Sequence, residues 1–150
     1  MGSGDAGGRI RRVSASIDHL AVAATSLDGR GLDDLLGVGL APGGQHARMG
    51  THNRLLRLGG GAYLEIIAID PAAQSPGRRR WFDLDDPALQ HAVQHEPRLV
   101  HFVASTADAA AGLKALRRLG LERGPLVHAG RPTPDGTLRW QISVRRDGQR

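Results

Sequence analysis

Cysteine is absent from the 150 residues. That excludes a disulfide framework, a thiolate nucleophile and Cys-ligated zinc, so a metal site must draw on His, Asp or Glu. Aromatic residues are scarce at 3%. They are Tyr63, Trp81, Phe82, Phe102 and Trp140, so Leu, Ile, Val and Ala must build the core. No apolar run approaches the ~20 residues that span a bilayer. The start, MGSGDAGGRIRRVSAS, has paired arginines but no apolar stretch behind them, which excludes a secretory signal. A soluble, cytoplasmic protein with no membrane partner is expected. Lysine is almost missing too: Lys114 alone breaks a set of basic residues that is otherwise arginine. The net charge of +5 is spread along the chain, apart from Arg78–Arg80 in a Pro/Gly-flanked stretch. Dispersed charge argues against a nucleic-acid partner. Walker loops, GxGxxG and a Ser/His/Asp elbow are also lacking.

What is present is ordinary for a globular chain: 40% hydrophobic and 23% charged residues. The length suits one domain, or two small repeats sharing a core. Residues 1–15 read as a Gly/Ser-rich leader. SIDHLAVAA, from Ser16, alternates like a strand. Thr25 or Ser26 can cap a helix carrying Leu27, Leu32, Leu35 and Leu36, ended by Gly37. APGGQHARMG, residues 41–50, reads as a Gly-rich loop with a short strand near Leu40. Thr51–Leu58 and Ala62–Ile69 form a hairpin around Gly59–Gly61. Residues 72–97 are a linker with a short helix starting at Asp86–Pro87. Arg98–Ala104 is a strand, and Thr106–Leu119 a helix with Ala110, Leu113, Leu116 and Leu119 on one side. Leu126–His128 is a short strand, RPTPDG a turn, and Thr137–Val144 a strand with Leu138, Trp140, Ile142 and Val144 on one face.

Strand, helix, strand, strand thus occurs twice. The expected class is α+β, built from tandem βαβββ modules at 16–71 and 98–147, with the second lacking its last strand. Its unfilled edge at Thr137–Val144 favours a homodimer.

Two polar residues interrupt apolar strands: His19 in IDHLAV and Glu65 in YLEIIA. A carboxylate between Leu64 and Ile66 is costly to bury unless it is paired, hydrogen-bonded or metal-bound. His101, in RLVHFVA, holds in the second half the place that His19 holds in the first. His and carboxylate from separate strands suit Zn²⁺, Ni²⁺, Fe²⁺ or Mn²⁺. Each has a plainer reading. The histidines can be hydrogen-bonded strand residues, and Glu65 can face solvent or pair with Arg54 or Arg57. His46, His52 and Asn53 stand where a substrate could be contacted. His91 and His95, four apart on a short helix, read as a solvated face.

IDHLAVAATSLD, then GLAPGGQHARMGTHNRLLRLGGGAYLEIIAIDP, then GRPTPDGTLRWQISV, resembles the glyoxalase-like domain family of the vicinal oxygen chelate superfamily, over about residues 16–147. The resemblance implies paired modules forming a half-closed, U-shaped barrel around a cleft. It implies a divalent metal on His19, Glu65 and His101, and a further strand that would supply a fourth ligand. The implied activity is that of a metal-dependent lyase or isomerase, or a dioxygenase-type enzyme, on a small oxygen-rich metabolite. Glu65 or a metal-bound water would shuttle the proton. The alternative on the same scaffold is metal-free binding of a small molecule in a cleft lined by Trp140 and Tyr63.

Overall fold

A computed structural model describes residues 14–28, 31–133 and 135–147 of the chain. Most of the expected leader falls outside them. The fold is mixed α+β with a curved sheet. Its elements in chain order are β1 (Ser16–Ala23), α1 (Gly31–Leu36), β2 (Ala41–His46), β3 (Thr51–Gly59) and β4 (Ala62–Ile69). After these come α2 (Pro87–Val93), β5 (Arg98–Ser105), α3 (Ala109–Arg118), β6 (Leu126–Thr133) and β7 (Gly136–Ser143). A five-stranded sheet runs β2-β3-β4-β1-β5, and β6-β7 form a separate ribbon. β1 lies parallel to β4 and antiparallel to β5. Among the described residues no helix is long and apolar enough to cross a membrane.

Each face of the sheet buries its own cluster. On one, Ala21, Ala23 and Ile67 pack beneath Phe82, Leu84, Leu89 and Val93, so the segment 81–93 lies over the centre of that face. On the other, Ile66, Leu40 and Ala24 meet Leu27, Leu32, Leu56 and Leu64. α2 starts as its sequence demands. Pro87 takes the first helical position and the Asp86 carboxylate accepts from the Ala88 and Leu89 amides.

Four expectations change. Residues 41–46 are strand, not loop. Pro42 is tolerated because β2 is the sheet's outer strand, and the register shifts between Pro42 and Gln45. The first helix is shorter than expected, because the Ser26 hydroxyl accepts from the Asp28 amide and the Thr25 hydroxyl donates to the Val93 carbonyl. One local bond and one long-range bond thus occupy the two hydroxyls that were expected to cap. Leu35, expected on the buried side, is 75% exposed. α3 begins later than Thr106 because Asp108 supplies the cap, to the Ala111 amide; its last expected apolar residue, Leu119, is exposed. β6 continues to Thr133, through half of the segment read as a turn, and β7 begins at Gly136.

Candidate functional site

In a paired sheet, neighbours across a ladder share a face, and successive residues alternate. β1 and β4 therefore place His19, Ala21 and Ala23 on the same side as Tyr63, Glu65 and Ile67. β3 adds Asn53, opposite Ile67, and β2 adds His46, opposite Thr51. One polar chain results. Asp18 holds His19 Nδ1 at 2.7 Å. His19 Nε2 lies 3.3 Å from Glu65 Oε2. Asn53 Nδ2 donates to Glu65 Oε1 at 2.6 Å, and the Gly44 amide donates to Asn53 Oδ1 at 2.7 Å. His46 Nε2 stands 3.5 Å from Asn53 Nδ2, and its Nδ1 is 3.0 Å from the Thr51 hydroxyl. The Tyr63 ring stacks on His19 at 4.6 Å.

Glu65 is 6% exposed and His19 9%, so neither plainer reading of Glu65 applies. Of the two arginines expected as its partner, Arg54 binds Asp33 at 2.9 Å and the Leu40 carbonyl at 2.8 Å, and Glu65 is held by His19 and Asn53 rather than by Arg57. Burial alone would push the His19 pKa down, but hydrogen bonds to Glu65 and Asp18 outweigh it, and the pKa is raised. Burial alone would push Glu65 up, but the bonds from His19 and Asn53 and the charge of His19 outweigh it, and its pKa is lowered. Both shifts describe one species: an imidazolium between two carboxylates.

His101 shares the face of His19 and Glu65, since Ala21 pairs with Glu65 on one side and with His101 on the other. It does not join them. Its Nδ1 accepts from the Phe102 amide at 2.8 Å, and Arg123 Nη2 stands 3.0 Å from its Nε2. Among the described residues no three His, Asp or Glu side chains converge on a common point. A guanidinium at Nε2 repels a cation, so the expected trio of His19, Glu65 and His101 does not fit a resident metal.

His52 falls on the opposite face, paired with Ala68, and its buried Nε2 has no hydrogen-bond partner among the described residues. Trp140 sits on β7, opposite Ala129. His91 and His95 meet edge to face at 5.2 Å, both exposed. Asp18, Thr51, Trp81, Phe82 and Arg123 also reach this face or its histidines, and none was among the expected site residues. For Asp18 a signal existed, an acid beside a strand histidine; for Arg123 there was none.

The Trp81 ring meets His46 edge-on at 5.0 Å, and Phe82 meets His101 at 5.6 Å. These rings cross the sheet between the two histidines. Phe82 and Asp83 both carry positive φ, at 56° and 53°, which costs energy in residues other than glycine. Arg80 secures the segment through Asp85 and through its Nε bond to the Gly50 carbonyl. Beside it, a groove of about 410 Å³ opens between α2 and β5, lined by Phe82, Leu89, Ala92, Leu99 and Val100.

No match is found among curated proteins. Two solved structures match, the first of them similar in fold. A hypothetical protein from Staphylococcus aureus matches with TM-score 0.55 and 21% identity, covering 85% of this chain and 51% of that one. The chain thus spans about half the length of that protein. Methylmalonyl-CoA epimerase from Mycobacterium tuberculosis matches with TM-score 0.49 and 19% identity, covering 84% and 77%. The glyoxalase-like domain model matches residues 17–150. The chain belongs to the glyoxalase-like domain family.

Proposed function

We propose that this chain binds a small oxygen-rich metabolite on the face that carries His19 and Glu65, and moves a proton on it as an isomerase or lyase. The observation that carries this reading is the buried Glu65 carboxylate, held at one oxygen by His19 and at the other by Asn53. Paired in this way, Glu65 is ionised but weakly basic. A substrate carbonyl oxygen that accepts the His19 Nε2–H frees one Glu65 oxygen and makes the carboxylate more basic. Glu65 then takes the proton from the carbon beside the carbonyl. The C–H electron pair moves into the enediolate, whose oxygen keeps the hydrogen bond of His19. Return of the proton to the former carbonyl carbon, with the hydroxyl proton passing to the former carbonyl oxygen beside His19, completes an isomerisation; loss of a leaving group from the carbon next to the enediolate makes the reaction a lyase.

The step is not routed through a metal, because among the described residues no third carboxylate or imidazole converges with His19 and Glu65 on one point. The reading includes paired βαβββ modules: β1 to β4 as one, β5 to β7 as a second without its last strand, and residues 72–97 as linker. The recurrence of strand, helix, strand, strand supports it. It also includes a homodimer.

The test is deuterium exchange at the carbon beside the carbonyl. The full chain is incubated in D₂O with a panel of 2-oxoaldehydes and α-hydroxyketones and followed by NMR. Exchange with at least one compound is expected, falling roughly a hundredfold or more in Glu65→Gln. Exchange that is unchanged in that variant sinks the assignment. A second reading, metal-free sequestration, rests on the groove beside Phe82, whose lining also includes Asp83 and Arg98. It predicts saturable binding with no exchange.

A further inference from the structure

Glu65 must meet a substrate carbon to take its proton, yet its carboxylate is buried, and so is His19 beside it. The segment Trp81–Asp83 lies over that part of the sheet. The Trp81 ring meets His46 on one side, Phe82 meets His101 on the other, and the two rings stand 6.1 Å apart. Phe82 also packs against Ala21 and Ile67. Ala21 is the ladder neighbour of Glu65, and Ile67 follows Glu65 on the same face of β4. The two rings therefore bracket the carboxylate.

Two features make this position unfavourable in itself. Phe82 and Asp83 both have left-handed backbone, with φ of 56° and 53°. The Trp81 Nε1 is buried with no hydrogen-bond partner among the described residues. Both penalties vanish when the segment lifts, because the backbone relaxes to negative φ and the indole N–H reaches water. The segment can also move without its flanks. Arg80 and Asp85 clip its ends together, through their ion pair and through the Arg80 amide, which donates to Asp85 Oδ2 at 2.7 Å. Leu84 stays in the core, and its carbonyl accepts from the Gln90 side chain at 2.7 Å. The groove beside Phe82, lined in part by Leu89, Ala92 and Val100, gives the displaced ring an apolar place to rest.

We propose that Trp81–Asp83 is a strap that covers Glu65 and lifts to admit substrate. Closed, it keeps water from the His19–Glu65 pair. The packing of Phe82 makes the closed state the major one. The penalties at Trp81, Phe82 and Asp83 keep the lifted state within reach of it. The inference concerns access to the same site, and it rests on the proposed proton transfer for what the strap guards.

The test is solvent exchange of the Trp81 indole hydrogen in the ¹⁵N-labelled full chain, its signal assigned by comparison with Trp140→Phe. Protection roughly a hundredfold below that of the slowest β4 amides is expected, because the strap opens without the sheet. Asp83→Gly removes one left-handed side-chain penalty from the closed state, so indole exchange should slow about fivefold. Asp83→Asn removes the charge and keeps the shape, and its indole exchange should match that of the parent chain. Deuterium exchange of substrate at low concentration should fall in Asp83→Gly by the same factor as strap opening. Indole protection equal to that of the slowest β4 amides overturns the proposal. So does equal slowing, or none, in the two Asp83 variants, or substrate exchange unchanged in Asp83→Gly. The indole readout needs no substrate, so it tests the strap even where the proton-transfer reading fails. Substrate exchange that survives Glu65→Gln removes that reading and leaves the motion of the strap standing.

Discussion

Glu65 is a carboxylate that the fold buries and then supplies with two donors, and the consequence is a defined pH window. The His19 pKa is raised above its ordinary 6.5, so the stability it contributes is complete below 6.5 and fades as pH climbs through the folded value. The Glu65 pKa is lowered below its ordinary 4.5, so its contribution is complete above 4.5 and fades as pH falls through the folded value. The pair therefore contributes most between about 4.5 and 6.5. Glu65→Gln should cost about 2 kcal/mol there, a charge-assisted hydrogen bond lost within a buried site. Thermal melts of both proteins across pH 4–9 check this. A gap that widens steadily toward pH 9 contradicts the assigned ion pair. At this same scale the sequence was informative. His19 and Glu65 stood out because a charge between apolar strand residues needs a partner. Their pairing did not stand out, because Asp18, Asn53 and Gly44 reach the site from three strands.

Elements carry those residues into place, and β2 shows how. Its glycines resemble loop residues, yet they allow β2 to run close against Asn53. A Cβ built at Gly43 would collide with the Asn53 side chain and backbone. Gly43→Ala should displace Asn53 from Glu65, cost about 1–3 kcal/mol and lower proton exchange along with stability. Denaturant melts together with the exchange assay check it; unchanged exchange would separate β2 from the site. The 81–83 segment is a second case. Phe82 is buried although its backbone is strained, so packing against Ala21, Ile67 and Val93 outweighs the strain. Phe82→Ala is expected to lose about 3 kcal/mol or more by denaturant melt. A loss under 1 kcal/mol would mean that this segment is not part of the core.

At the scale of the whole molecule, the β6–β7 ribbon is continued past its ladder where Gly124 and Pro125 pass the end of β7. The Val144 amide donates to the Pro125 carbonyl, and Val144 is buried. Gly124 has a φ of 80°, and a Cβ there would collide with the Val144 carbonyl. Gly124→Ala should release the β6–β7 ribbon while the five-stranded sheet holds. Hydrogen exchange reads this as faster amides in 126–143 and unchanged amides in 16–23 and 62–69. Uniform acceleration would show one cooperative unit instead. The homodimer in the proposed function belongs to this scale too. Sedimentation should give twice the mass of one chain, and a single-chain mass at all concentrations rejects it.

The sequence by itself determined the elements whose periodicity is local and strong. β4 begins and ends where its apolar alternation does, β1 is offset by one residue, and α2 starts at its Asp–Pro cap. It also marked His19 and Glu65, because polar residues in buried strands carry their own energetic flag, and it marked Asn53 as a substrate contact. Only the tertiary structure decided which of the marked residues meet. Asn53 faces Glu65 while His52, one residue before it, points to the opposite face. That distinction depends on strand register, which no single strand encodes alone. Likewise His101 repeats the position of His19, yet its neighbour is Arg123, delivered by the turn after α3. Local pattern predicts burial and periodicity; pairing between distant segments sets the chemistry, because electrostatic partners are chosen by distance in space and not along the chain.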